Sequence, residues 1–248
     1  MMNPEMRDPI VFAIAGQTAT GKTRLGEGIV GELREQGYAA GLFSVGDMFR
    51  LLTMHTEIQH DPTAMDEAVQ HTLSFVHENL DPKTGRIHIH YNGEQFKQTY
   101  ENGNSSAQLS SNLAVMYHVS NFIETRITGS GTGLSFVGID GRERRNADIL
   151  FRMYGNPQAR VDARILDQGK ACATLTRNEI FADIAKRDPH EKPFVDALRL
   201  DDVNVVHIDR TRGTPEADKT LVACATTVLV KFKEGKLSPN FGTIHIGL

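Results

Sequence analysis

Eight consecutive residues carry the plainest chemistry in this chain. Gly16-Gln17-Thr18-Ala19-Thr20-Gly21-Lys22-Thr23 sets two glycines around four residues and follows them at once with a lysine and a hydroxyl. Glycines let a backbone curl so that successive N–H groups point inward, and such a cradle suits phosphate oxygens. A helix beginning at Lys22 would add the partial positive charge of its N-terminus. In that frame the Lys22 ammonium reaches the β- and γ-phosphates of a nucleoside triphosphate, and the Thr23 hydroxyl ligates Mg²⁺. Residues 16–23 are therefore expected to bind a nucleotide. GTPases, ATPase motors and small kinases share that capacity, so the loop alone does not choose a reaction.

A second group of candidates follows from where side chains fall relative to strand ends. Ser135-Phe-Val-Gly-Ile-Asp140 is an apolar run that ends in an acid, and in a parallel sheet this acid lies beside the phosphate loop. Asp140 could then hold Mg²⁺ through water. Gly46 permits close approach after an earlier apolar run, and Arg50, on the first turns of the next helix, can present its fork to an oxyanion. Arg142, Arg144 and Arg145 stand at a strand's carboxyl end, the ligand side of an open α/β sheet. His88 and His90 share one face of a short strand, which reads as an exposed hairpin face because further metal ligands are not identifiable.

These residues need a scaffold of alternating strands and helices. Ile10–Ala15 is short, apolar and partly β-branched, as a buried parallel strand should be. Leu25, Ile29 and Leu33 recur at helical spacing over Lys22–Gln36, and Gly37 sits where a helix C-terminal glycine belongs. Four further strands are expected at Ala39–Ser44, Leu134–Ile139, Ile149–Tyr154 and Val203–Ile208. Helices are expected over Asp47–Met54, Ala64–Glu78, Ala107–Arg126, Asn156–Asp167, Thr176–Arg187 and Thr214–Glu234. Leu80–Asn104 differs in texture. Its Asp81-Pro82-Lys83-Thr84-Gly85 turn, alternating Arg86–Tyr91 and Asn92-Gly93 predict a small antiparallel hairpin inserted into the α/β frame. The tail Gly235–Leu248 is punctuated by Gly and Pro and shows no clear periodicity.

Several segments resemble one family in order and spacing. Ser44-Val-Gly-Asp-Met-Phe-Arg50 is similar to the S-T-G-D-M-L-R stretch of adenylate kinases and the S-G-x-x-Y-R of cytidylate kinases. Asp140-Gly141-Arg142 resembles the D-G-R-D of bacterial cytidylate kinases, with Glu143 in place of the second acid. Asn146–Tyr154 and Gln158–Arg164 look like that family's strand and E-R-x-x-R-R helix, and Glu179–Lys192 like its E-I-x-x-R-D-x-x-D segment. Ile208-Asp209-Arg210-Thr211 stands where the family reads L-D-S-T, near the adenine of ATP. The inserted hairpin matches the extra small sheet that marks bacterial cytidylate kinases. The resemblance spans roughly residues 10–230.

The resemblance implies a single P-loop kinase domain of the α/β class, with a three-layer α/β/α core, a five-stranded parallel sheet, an antiparallel β insertion in the monophosphate-binding region and a helical lid. Its parts would be a core of residues 8–44, 130–155 and 200–234, a monophosphate-binding part at 45–129, a lid at 156–199 and a tail at 235–248. The implied reaction is transfer of the γ-phosphoryl group of ATP to CMP or dCMP. Gly16 to Thr23 would hold ATP, with Lys22, Arg160, Arg164 and Arg187 catalytic and Thr23 and Asp140 serving Mg²⁺. Gly46, Asp47, Arg50, Arg142, Arg187, Glu191 and Lys192 would bind the monophosphate. The chain departs from the pattern at Val45 (a family serine), at His118 and near Phe194 (family arginines), and at Glu191 (a family aspartate). Other acceptors, a non-catalytic nucleotide-binding regulator, and an ATPase or GTPase switch are the alternatives; the N-K-x-D motif of GTPases is absent.

Composition narrows the field around this reading. Of 248 residues 40 % are hydrophobic and 23 % charged, which suits a chain with a buried core and excludes disorder as the main theme. Lys and Arg number 27 against 31 Asp and Glu, a net charge of −4, whereas a general nucleic-acid binder carries a basic excess. No apolar run approaches the roughly 20 residues of a membrane span, and Met1–Pro9 lacks the features of a signal peptide. With Cys172 and Cys224 its only cysteines, the chain has no disulfide framework. A cytoplasmic enzyme with small anionic substrates, and neither nucleic acid nor membrane as partner, is expected.

Overall fold

The computed structural model describes residues 9–17, 19–55, 62–96, 109, 112–140, 147–168, 176–182, 184–186, 204–210 and 214–247. Strand β1 (Ile10–Gly16) is buried at every position, which explains why its sequence is continuously apolar rather than alternating. It turns through the phosphate loop into helix α1 (Lys22–Glu35), whose buried residues Leu25, Ile29, Val30 and Leu33 form one stripe. The chain returns as β2 (Ala40–Ser44) and passes directly into α2 (Val45–His55), then α3 (Pro62–Ser74). Three antiparallel strands follow, β3 (Val76–Leu80), β4 (Arg86–Tyr91) and β5 (Glu94–Gln95).

Helix α4 (Leu113–Phe122) is capped by Asn112, whose side chain accepts from the N–H groups of Ala114 and Val115, and it continues into a π-turn over Ile123–Ile127. Then come β6 (Phe136–Asp140), β7 (Ile149–Gly155) and α5 (Pro157–Gln168). Residues 177–182 and 184–186 are helical. Strand β8 (Asn204–Arg210) leads to α6 (Pro215–Lys233), capped by Thr214 with Pro215 in its first turn, and β9 (Thr243–Gly247) follows.

The nine strands among the described residues belong to one sheet in the order β3-β4-β2-β6-β1-β7-β8-β9, with β5 paired to the end of β4 on the edge opposite β3. The five expected parallel strands are its centre, β2-β6-β1-β7-β8. One face is covered by α1 and α6, where Leu25, Ile29, Leu33, Leu221 and Leu229 pack on Phe12, Ile14, Phe136 and Phe151. The other is covered by α2, α3 and α4, where Met48, Leu52, Met65, Val69, Val115 and Val119 pack on Val11, Val137 and Ile139. This is a three-layer α/β/α arrangement.

Three local outcomes differ from expectation. The helix expected to run to Glu78 stops at Ser74, and Val76–Leu80 forms β3 instead. Its alternation of Val76, Glu78 and Leu80 is short, and its partners Tyr91, Ile89 and Ile87 lie beyond a turn, so nothing local distinguishes it from a helix tail. The inserted hairpin is not a separate small sheet. β4 pairs in parallel with β2 through Leu42↔Arg86 and Phe43↔Ile87, which covers an edge that would otherwise be open. The tail, whose sequence shows no clear periodicity, adds β9 in parallel to β8, with Ile244 and Ile246 against the core. Asn204 fastens it, donating to Pro239 O at 2.8 Å and accepting from Phe241 N at 2.7 Å.

Candidate active site

The carboxyl ends of β1, β2 and β6 meet at one place. Strand register sets Asp140 opposite Ile14 on β1 and opposite Ser44 on β2. The phosphate loop leaves β1 two residues beyond Ile14, so the acid at the end of β6 lies under the start of α1. The Thr23 hydroxyl donates to Asp140 Oδ2. Two residues separated by more than a hundred positions thus form the pairing that strand ends suggested.

The loop is built tightly. Gly21 has φ +83° and Ala19 φ +60°, so both flanks of Thr20 lie in the left-handed region. Thr20 is fully buried and its hydroxyl donates to Gln17 O at 2.9 Å, closing the curl from inside. A Cβ on Gly16 would lie 2.6 Å from Met153 O of β7, so the first glycine serves close approach to the neighbouring strand. Lys22 folds over the loop and donates from Nζ to Gly16 O and Gln17 O, each at 3.0 Å. Ala19, at the loop's tip, packs against Val161, Ile180 and Ile184, an apolar cluster that joins α5 to helical residues 177–182 and 184–186.

Electrostatics single out Asp140. It is 5 % exposed, and burial pushes its carboxyl above the usual carboxylate range. The Lys22 ammonium and the Thr23 hydroxyl pull the other way, and the Asp47 carboxylate adds to the rise. A hard cation at this place would offset the cost of the buried charge. The oxygen donors Thr23 and Asp140 are the type Mg²⁺ prefers, so the residues present fit that ion.

On the β2 side, Asp47 and Arg50 form an ion pair at 2.8 Å in the first turns of α2. Gly46 lies against that guanidinium: a Cβ there would be 3.3 Å from Arg50 Nη1. On the β7 side, Arg160 and Arg164 stand one turn apart on α5, beyond the carboxyl end of a strand whose Met153 is opposite Gly16. Arg160 is 5 % exposed and Arg164 half-buried. His118 is held by Asp66, Nε2 to Oδ1 at 2.5 Å, and this contact lowers the Asp66 carboxyl below its usual range.

The structure therefore brings together Gly16, Gln17, Ala19, Thr20, Gly21, Lys22, Thr23 and Asp140, with Gly46, Asp47 and Arg50 at the adjoining strand end. Thr18, Arg142, Arg187, Glu191 and Lys192 lie outside the described residues. One participant was not anticipated. Arg210, at the end of β8, is 2 % exposed and donates from Nη1 to Thr20 O at 3.0 Å. Its identity within Ile208-Asp209-Arg210-Thr211 was visible, but the direction of its side chain was not. Among the described residues, no helix is long and apolar enough to cross a membrane.

Residues 12–216 match the family model described as cytidylate kinase. A cytidylate kinase of Porphyromonas gingivalis (strain ATCC BAA-308 / W83) is 25 % identical over 194 residues, covering 74 % of this chain and 81 % of the relative. Among solved structures, a shikimate kinase from Acinetobacter baumannii in complex with shikimate aligns at TM-score 0.40 and 11 % identity, over 91 % of this chain and 96 % of its own. A putative fructose transport system kinase from Silicibacter sp. TM1040 aligns at TM-score 0.37 and 14 % identity, over 80 % and 89 %. Those overlays are loose, and the assignment rests on the sequence family. With the match covering most of the chain, and with the loop, its lysine and the strand-end acid assembled as the motifs require, the protein belongs to the cytidylate kinase family and is a nucleoside monophosphate kinase.

Proposed function

We propose that the protein transfers the γ-phosphoryl group of ATP to CMP or dCMP, with Mg²⁺ as the metal. The observation that carries this reading is the convergence of Lys22, Thr23 and Asp140 at the mouth of the phosphate loop, with the Asp47–Arg50 pair at the next strand end. A donor site and an acceptor site on adjoining strand ends allow in-line transfer between two bound phosphates. The transition state of such a transfer is loose, so catalysis consists of positioning and charge neutralisation.

In this reading, the N–H groups of residues 16–23 cradle the ATP phosphates, and Lys22 exchanges its bonds to Gly16 O and Gln17 O for phosphate oxygens. Thr23 and Asp140 would hold the metal, which when bound would offset the charge of the phosphate oxygens. Arg160 and Arg164, with Arg187, close over the transferring group. The apolar contact of Ala19 with Val161, Ile180 and Ile184 supports that role, because it seats the lid helices on the loop itself. Closure excludes the water that would otherwise accept the phosphoryl group. Arg50, Arg142 and Arg187 hold the acceptor's phosphate, Gly46 and Asp47 shape its entrance, and Glu191 and Lys192 face its base or ribose.

One observation favours a second reading, transfer to a different monophosphate or to a small alcohol. At the family's arginine position this chain carries His118, committed to Asp66. Purified protein with ATP, MgCl₂ and a panel of monophosphates and small alcohols separates the two. CMP and dCMP outperforming AMP, GMP and dTMP supports the first reading; AMP or an alcohol as best acceptor replaces it with the second.

A further inference from the structure

We propose that Arg210 is a positioning residue for the phosphate loop, acting on the Thr20–Gly21 peptide, with Asp218 and Arg24 holding its guanidinium in place. The inference rests on the reading of residues 16–23 as the triphosphate cradle. The Arg210 side chain leaves the end of β8 and is 2 % exposed. Its Nη1 donates to Thr20 O at 3.0 Å, and its Nη2 donates to Asp218 Oδ2 at 2.7 Å. Asp218, in the first turn of α6, also meets Arg24 Nε of α1 at 3.0 Å. One carboxylate thus bridges two cations, one fixed beneath the loop and one on the helix that the loop opens.

The geometry gives this network a specific task. Thr20 O and the Gly21 N–H belong to the same peptide unit. A charge-assisted bond received at the carbonyl polarises that unit and strengthens its N–H as a donor to a phosphate oxygen. The same bond stands between the two left-handed residues, Ala19 at φ +60° and Gly21 at φ +83°. Backbone in that region persists only where its surroundings over-determine it. The guanidinium also fills the space under Gly21, where a Cβ would lie 2.0 Å from Arg210 Nη1. Loop shape and donor strength therefore depend on a side chain that comes from the other end of the sequence. Two guanidinium groups against one carboxylate leave a net positive charge beneath a loop built for anions.

The test is titration of the full-length protein with ATP and with inorganic tripolyphosphate, which has no base. Three chains are compared: wild type, Arg210→Met, and the double variant Arg210→Met with Asp218→Asn. Arg210→Met is expected to weaken ATP and tripolyphosphate by the same factor, roughly tenfold or more, with turnover reduced and the acceptor KM unchanged. The single variant leaves the largely buried Asp218 carboxylate with Arg24 alone, so its melting temperature falls. The double variant removes that under-compensated charge, and is expected to recover the melting temperature without recovering affinity. Arg210→Lys, which keeps the charge but not the fork, is expected to restore affinity only in part. Affinity returning together with the melting temperature would reduce the network to a structural one and overturn the proposal. So would a loss for ATP with tripolyphosphate unaffected, which would place Arg210 at the base. A wild-type protein that binds neither compound would refute the reading of the loop itself, whereas wild-type binding with unaltered variants refutes only the role of Arg210.

Discussion

Replacing Asp140 by asparagine should make the metal-free protein more stable and the enzyme far slower. The side chain is 5 % exposed, and burial is the largest influence on its carboxyl, exceeding the opposing pull of Lys22 and the Thr23 hydroxyl. Its proton is therefore held more tightly in the folded chain than in the unfolded one. Between the ordinary carboxylate pKa and the raised folded value, the native state binds more protons, so stability falls as pH rises through that window. The deficit then persists at neutral pH. Asparagine has nearly the same shape, keeps an oxygen for the Thr23 hydroxyl, and carries no charge. Stabilising substitutions commonly add about 0.5–2 kcal/mol. For a chain of this size that corresponds to roughly 1–8 °C in melting temperature. Thermal unfolding with a chelator present, at pH 7 and again well below pH 4, reads the effect. The gap should be open at pH 7 and closed in acid, and saturating MgCl₂ should narrow it because only the carboxylate gains from the metal. Turnover of the variant should fall about 10²–10³-fold. A variant that is less stable than wild type at pH 7, or one with normal turnover, would refute the reasoning.

Three further outcomes follow from the same geometry. Lys22→Ala should lower kcat by about 10³-fold or more, yet shift stability by less than about 1 kcal/mol, because its two bonds to loop carbonyls are partly solvated; thermal unfolding beside a turnover assay checks both. Gly21→Ala should cost about 2–4 kcal/mol, read by denaturant unfolding, since φ is +83° and the new Cβ would press on Arg210. Arg50→Ala should raise the acceptor KM by roughly tenfold or more while leaving the ATP KM unchanged, the loss expected for one charge-assisted contact of about 1.5–3 kcal/mol; steady-state kinetics with each substrate varied in turn decides it.

What could be read from the sequence was local or continuous. The loop from Gly16 to Thr23 declares itself in eight adjacent residues, and its structure needs only the strand before it and the helix after it. Strands β1 and β6 are buried at every position, so their largely apolar runs are easily found. The Asp140 pairing with Thr23 was inferable because an acid at the end of an apolar strand has few other places to be. Partnerships across long separations were hidden. Arg210 meets Thr20 O across 190 positions, and nothing near Arg210 marks it as the floor of a loop formed near the other end of the chain. His118 and Asp66 are 52 positions apart and reveal themselves only when α3 and α4 pack. β3 and β9 are too short to impose a period of two on their surroundings, and each owes its existence to a neighbouring strand.

The most direct test of the central claim is the rate of phosphoryl transfer from ATP to CMP in the presence of Mg²⁺, compared with AMP, GMP and dTMP under identical conditions and with Lys22→Ala as the control. Membership of the cytidylate kinase family, with Lys22, Thr23 and Asp140 beside Asp47 and Arg50, predicts a kcat/KM highest for CMP, dependent on the divalent ion, and abolished in the control. ATP hydrolysis to ADP and phosphate with no CDP formed, or transfer that survives in Lys22→Ala, would contradict it.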